Sequence, residues 1–271
     1  PKIPNSVQVA SEIAQALQRC GISVWSCSSW DEETIIQQVD GLDMFITLGG
    51  DGTILRTARI AAPYRIPILG INMGRLGFLA EMELSEVVDK LEQLYNGDYW
   101  LEERLMLHAE HQSGERILGT YEALNDIVVS RGSAARVLRL SVSVDGAYLT
   151  TYVADGIIMA TPTGSTAYNL SAGGPIAAPD LEDILVTPIA PHLTPARAVV
   201  LPSEATITVG VRTEYDALLT VDGQVDVKLA DDDVVTISKS KYTARFVRLR
   251  PANYFYETLL ERLRFPNVSR E

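Results

Sequence analysis

The stretch Phe45-Ile-Thr-Leu-Gly-Gly-Asp-Gly-Thr53 decides the fold of the first part of the chain. Met44 to Leu48 is a nearly continuous apolar run, the pattern of a parallel strand buried on both faces. Thr53-Ile-Leu-Arg-Thr-Ala-Arg-Ile-Ala-Ala62 follows with helical spacing and stops at Pro63, which has no amide hydrogen to continue the ladder. The glycines therefore fall between the carboxyl end of a strand and the start of a helix, where open α/β sheets bind ligands. Amides at a helix N-terminus lack partners within the helix and carry the positive end of its dipole, so they receive anions. Glycine lets backbone lie against the anion, because any Cβ would fill that space. Asp51 stands among three of them, Gly49, Gly50 and Gly52. A carboxylate beside a phosphate is repulsive unless it handles a proton or organises a magnesium ion, and this points to phosphoryl transfer. Gly-Gly-Asp-Gly is also ordinary turn composition, and only the flanking strand and helix separate the two readings.

Outward from this junction, helical and short apolar segments alternate over the first hundred or so residues. Ala10, Ile13, Ala14 and Leu17 share one helical face, and Gly21 supplies a stop. Ile22 to Trp25 reads as a strand, Thr34 to Val39 as a short helix and Ile66 to Ile71 as the next strand. Val87, Val88, Leu91, Leu94 and Tyr95 mark a further helix ended by Gly97. The alternation predicts an α/β, Rossmann-like parallel sheet. Neither GxGxxG nor GxxxxGK[ST] occurs, so the dinucleotide fingerprint and the P-loop are both absent. The chain opens on Pro1-Lys-Ile-Pro-Asn with no apolar strand before the first helix, and a leading strand is expected to be missing.

After Glu102 the period changes to two. Val137 to Val144 and Ala147 to Val153 flank Asp145-Gly146, a two-residue hairpin signal. Leu218 to Val221 and Val225 to Leu229 flank a turn containing Asp222-Gly223, and Val234 to Ser238 and Ala244 to Leu249 read as two more strands. This half is predicted to be all-β with two packed sheets. Asn253 to Leu263 returns to helical spacing, as expected of a helix that rejoins the α/β domain. The expected domains are 1–101 with 252–271, and 102–251.

The 271 residues, 46% hydrophobic and 21% charged, describe a globular chain of one large or two modest domains. No apolar run approaches the about 18 residues of a membrane span, and no secretory signal opens the chain, so the cytoplasm is the expected location. The net charge of −12 and the lack of a basic stripe argue against nucleic acid but leave nucleotides open. Cys20 and Cys27 read as buried thiols, and the three histidines (His108, His111, His192) are too scattered for a metal centre. An acidic protein handling phosphates would rely on backbone amides, a few arginines and Mg²⁺.

The densest polar stretch is Ala154-Asp-Gly-Ile-Ile-Met-Ala-Thr-Pro-Thr-Gly-Ser-Thr-Ala-Tyr-Asn-Leu-Ser-Ala-Gly-Gly-Pro175. Its hydroxyls at Thr161, Thr163, Ser165, Thr166, Tyr168 and Ser171 suit a ligand rich in hydroxyls and phosphates. They equally suit a loop that satisfies its own backbone.

With that block the chain resembles the ATP- and polyphosphate-dependent NAD kinase family. The likeness rests on Gly49-Gly-Asp-Gly-Thr53, Asn72-Met-Gly-Arg-Leu-Gly-Phe-Leu79, Leu124-Asn-Asp126 and Thr161-Pro-Thr-Gly-Ser-Thr-Ala-Tyr168 running on to Gly173-Gly174. Thr187-Pro-Ile-Ala-Pro-His192 and Val221-Asp-Gly-Gln224 add to it. The resemblance implies transfer of the ATP γ-phosphate to the 2′-hydroxyl of the adenosine ribose of NAD, giving NADP. It implies Asp51 as general base or as organiser of Mg²⁺, and Gly52 against the nucleotide. Asn125 and Asp126 match the pair that holds ribose hydroxyls, and Phe78 the aromatic near the dinucleotide. Thr166, Ala167, Tyr168, Asn169, Leu170 and Ser171 match the segment lining the NAD site. Arg136, Asp155, Ala190 and Gln224 match further binding positions, some of them supplied by a neighbouring subunit, so a homo-oligomer (dimer or tetramer) is implied. His192 reads as structural. The donor is ATP or polyphosphate. The alternatives are a lipid kinase that shares the Gly-Gly-Asp-Gly run, and a nucleotide-binding protein without turnover. A lipid kinase wants an exposed apolar lip or basic surface, for which a charge of −12 gives little support. Binding alone does not need Asp51.

Overall fold

A computed structural model describes residues 6–74, 77–132, 136–192 and 197–263. The chain divides into two units, Pro1–Glu103 with Ala244–Glu271, and Arg104–Thr243. The opening pentapeptide, on which the missing strand was expected, lies outside the described residues.

In the first unit the strand Phe45–Gly49 pairs in parallel with Ile68–Asn72, Phe45 opposite Ile68 and Gly49 opposite Asn72. Ile68–Asn72 also pairs in parallel with Met82–Glu83 and, at Ile68, with Phe246. The helix Asp51–Ala61 lies close to this sheet: a Cβ on Gly70 would sit 2.7 Å from Ile54 Cδ1. Ile54 and Ala58 are fully buried, and an isoleucine so placed contributes roughly 1.5–3 kcal/mol. Ile13 and Leu17 of the helix Ser6–Arg19 join Leu69, Ile71 and Val247 in a second cluster.

Three local expectations change. Ile22 to Trp25 forms no strand; Ile22 and Val24 pack against the cluster around Ile13 and Leu17, so their spacing reports packing without a ladder. Pro63 does not end the helix Asp51–Ala61 abruptly. It sits in a 3₁₀ turn, Ala62–Tyr64, near whose start a missing amide costs little, and Arg65 closes that turn at φ 59°. The two strands expected at 234–238 and 244–249 are one strand, Asp233–Arg248, because no Gly or Pro interrupts the residues between them.

The second unit holds a six-stranded antiparallel sheet in the order Val199–Pro202, Asp183–Ile189, Gly156–Ala160, Asp126–Arg131, Ala217–Val221 and Val225–Leu229. Ile207–Arg212, Leu138–Val144 and Ala147–Ala154 form antiparallel neighbours in another sheet. Asp145 and Gly146 both have positive φ (50° and 78°), as the mirror-image turn of a two-residue hairpin requires, and Asp222 and Gly223 do so too (51° and 62°), in the three-residue connection between the paired Val221 and Val225. Ile127, Val129, Ile157 and Met159 face one core, shared with Leu140 and Val209. Val128, Ile158 and Ala160 face the other way, onto Ala172 and Ala177 of the hydroxyl-rich segment. Gly156–Ala160 is thereby buried on both sides.

Candidate functional site

The strand Phe45–Gly49 ends directly on the helix that Asp51 opens, with Gly50 as an N-cap in extended conformation and no side-chain cap. The approach is tight, since a Cβ on Gly49 would lie 2.5 Å from Thr53 Oγ1. Gly52, one residue further, is exposed. Asp51 Oδ2 accepts the amide of Phe78 at 2.9 Å and Oδ1 accepts the amide of Leu79 at 3.2 Å. Gly77 closes over the carboxylate so nearly that a Cβ there would stand 2.2 Å from Oδ1. Two amide bonds to an ionised acceptor, at the positive end of a helix, fix the carboxylate strongly. Its clasp is itself anchored. Arg248 Nη1 donates to the Leu79 carbonyl at 3.1 Å and pairs with buried Glu81 at 3.3 Å, and Arg248 Nε meets Glu102 at 2.6 Å.

In the second unit Asp222 organises the Asn125-Asp126 pair. Its Oδ1 accepts the amides of Asn125 at 2.7 Å and Asp126 at 3.2 Å, and its Oδ2 that of Leu124 at 3.1 Å. Asp222 returns its own amide to the Asp126 carbonyl at 2.9 Å. The Asp126 carboxyl is buried, and burial, followed by the charge of Asp222, pushes its pKa up to about 7. Asn125 offers a buried Oδ1 with no hydrogen-bond partner. Its carbonyl accepts from the Thr161 amide at 2.9 Å and lies so near Gly164 that a Cβ there would be 2.1 Å away. Gln224 belongs to the same turn as Asp222, donating its amide to the Val221 carbonyl at 2.9 Å.

The hydroxyl-rich segment divides into two kinds of residue. Thr161 donates to the Leu124 carbonyl at 2.6 Å, and Arg104 Nη1 donates to Thr163 Oγ1 at 3.1 Å. Ser165 bonds both the carbonyl and the amide of Ala177. Asn169 is fully buried: its Nδ2 donates to the carbonyls of Ser165 and Pro175, and its Oδ1 accepts from Thr187 at 2.7 Å. These four build the loop. Thr166, Ala167 and Leu170 are half-buried, and Tyr168 and Ser171 exposed; of these hydroxyls, that of Thr166 donates to the Thr163 carbonyl at 3.5 Å.

Asp155 pairs with Arg131 at 3.0 Å and donates its amide to the Ile189 carbonyl at 3.0 Å, next to Ala190, whose φ is 43°. Asp155 and Ala190 are thus neighbours. Arg136 is exposed, with its guanidinium 5.9 Å from the Tyr215 ring centroid. His192 donates its amide to the Val153 carbonyl at 2.7 Å. Sequence reading missed Asp222 and Arg131 as organisers; the Asp-Gly dipeptide signalled a turn without revealing what its carboxylate holds. Cys20 and Cys27 are exposed, against expectation, because Ile22 to Trp25 forms no strand to bury them. Among the described residues no three His, Cys, Asp or Glu side chains are grouped to hold a metal.

A chain that combines a parallel α/β unit with a glycine-lined helix start and a β unit with a hydroxyl-rich turn defines a nucleotide-handling phosphotransferase. The chain belongs to the ATP-NAD kinase family. Residues 4–99 match its N-terminal domain and residues 124–249 its C-terminal domain. It is 39% identical over 272 residues to the NAD kinase of Dehalococcoides mccartyi, covering 99% of this chain and 95% of the relative. It is 41% identical over 264 residues to that of Chloroflexus aurantiacus, covering 97% and 96% respectively. Among solved structures, yeast NADH kinase complexed with NADH aligns at a TM-score of 0.80 and 30% identity, over 88% of this chain and 70% of that one. An NAD kinase from Archaeoglobus fulgidus in complex with ATP aligns at 0.74 and 29%, over 93% of both. These findings favour the NAD kinase reading over the lipid-kinase and non-catalytic alternatives.

Proposed function

We propose that Asp51 accepts the proton as this kinase phosphorylates NAD. In the reaction the 2′-oxygen of the adenosine ribose attacks the γ-phosphorus of ATP, the bond to the β,γ-bridging oxygen breaks, and NADP and ADP result. Catalysis of this kind is mainly positioning and charge compensation, with removal of the acceptor's proton. The observation that carries the reading is the clasp on Asp51: each carboxylate oxygen accepts one backbone amide, which leaves each a second acceptor position. The acid is held in place without being used up.

Gly52 lies against the nucleotide in this reading, and Phe78 lies beside the dinucleotide. Asn125 and Asp126 take the ribose hydroxyls; the unpartnered Asn125 Oδ1 supports this, because a buried acceptor without a donor costs stability until a ligand supplies one. Thr166 to Ser171 line the NAD site, with Asn169 as its internal support. Asp155, Arg136, Ala190 and Gln224 complete it, some from a second copy in a dimer or tetramer. Mg²⁺ arrives on the phosphates of the nucleotide, inorganic polyphosphate is an alternative donor, and the cytoplasm is the expected location.

The test is direct. The protein is incubated with ATP, Mg²⁺ and NAD, and NADP is read with an NADP-specific dehydrogenase. NADP should accumulate; none, beside a working control kinase, overturns the reading.

A further inference from the structure

The helix Tyr254–Leu263 carries a cation that the reaction above does not use. It belongs to the same unit as Asp51. The Arg262 guanidinium stands 5.8 Å from the centroid of the Phe78 ring and 5.4 Å from that of Tyr254. Phe78 is also the residue whose amide holds Asp51 Oδ2. Burial disfavours the Arg262 charge; the Tyr254 hydroxyl and the Asp51 carboxylate act the other way, and Arg248 adds to the penalty. Arg262 Nε is buried and has no hydrogen-bond partner.

The rings attract the charge without satisfying its N–H groups; the Tyr254 hydroxyl bonds to the guanidinium, and Nε is left over. A dry, unpaired donor on a permanent charge is a cost that a purely structural clamp has no reason to carry. The Asp51 carboxylate acts on this charge, and it opens the anion-receiving helix start of the same unit, where it repels the phosphates it must approach.

We propose that Arg262 binds the phosphate chain of the donor nucleotide, donating from Nε to a phosphate oxygen beside Asp51. This rests on the kinase reading and assigns the cation that makes an acid tolerable at a phosphate site. The ligand class is a linear triphosphate, and NAD does not contact this residue.

Inorganic tripolyphosphate titrated into the protein without NAD reads this binding directly, independently of turnover. Arg262→Met should weaken it by about tenfold or more, equivalent to about 1.4 kcal/mol, with Arg262→Lys in between. In steady state KM for ATP should rise while KM for NAD stays within about two-fold. Tripolyphosphate binding to Arg262→Met as tight as to the wild type overturns the assignment, as does wild-type protein that does not bind it. A parallel rise of both KM values with a lowered melting temperature overturns it in favour of a clamp on Phe78. Should Arg262→Met fail to fold, Arg262→Lys carries the same titration. Wild type that binds tripolyphosphate but forms no NADP counts against the reaction and not against Arg262.

Discussion

Asp222 Oδ1 accepts the backbone amide of Asn125 at 2.7 Å, so a hairpin turn and the segment that presents Asn125 and Asp126 form one rigid piece. The clasp holds Asn125 by its backbone and leaves its side chain out, as the proposed role at the ribose requires. Asn125→Ala should therefore raise KM for NAD by about tenfold, the worth of a hydrogen bond or two, while the melting temperature changes little. Removing a buried oxygen that has no partner carries no penalty of its own. Equal KM values for variant and wild type would remove Asn125 from the acceptor site.

Asp51→Asn should reduce kcat by about 10²-fold or more if Asp51 takes the proton. A loss of only a few-fold points instead to a positioning role. The substitution also turns one acceptor into a donor facing an amide of Phe78 or Leu79, so a thermal melt should accompany the kinetics.

Gly77→Ala tests the same carboxylate without touching it. The added methyl would stand 2.2 Å from Asp51 Oδ1, so either the carboxylate or the loop must shift. Since a misplacement of ~1 Å in a catalytic group costs up to about 10²-fold, kcat should fall at least tenfold with the fold retained. Unchanged kcat would show that the clasp is dispensable.

Asp126 gives a pH signature. Its folded pKa, about 7, lies above the ordinary carboxylate value, so the folded state holds a proton that the unfolded chain has already released. Its contribution to stability is fully present below the ordinary value, falls as pH rises toward 7 and is gone above it. Asp126→Asn should accordingly melt higher than the wild type at pH 8, and the gap should narrow or reverse at pH 5. A gap that widens on acidification would refute the buried-acid assignment.

How much of this was readable in the residues differs from element to element. Strand Phe45–Gly49 and the helix from Asp51 were legible because strand, glycine run and helix are contiguous in the chain. The two Asp-Gly hairpins were legible because turn chemistry is local. Ile22 to Trp25 misled because apolar alternation reports burial and says nothing of a pairing partner. Asp222 and Arg131 were invisible as organisers, since what each side chain holds lies about 96 and 24 residues away in the chain and is set by sheet register. Arg262 was missed for the same reason: Glu261-Arg-Leu263 reads as the end of an amphipathic helix.

The full saturation of Asn169 has a practical consequence for altering this enzyme. Its amide ties Ser165, Pro175 and Thr187 together, so replacing that one side chain would undo three contacts of the hydroxyl-rich loop at once. Tyr168 and Ser171 are exposed outside that frame, and the Thr166 hydroxyl touches it only through a 3.5 Å bond to the Thr163 carbonyl. On the proposed reading, a library confined to these three positions would vary what the NAD site accepts while leaving the Asn169 network intact.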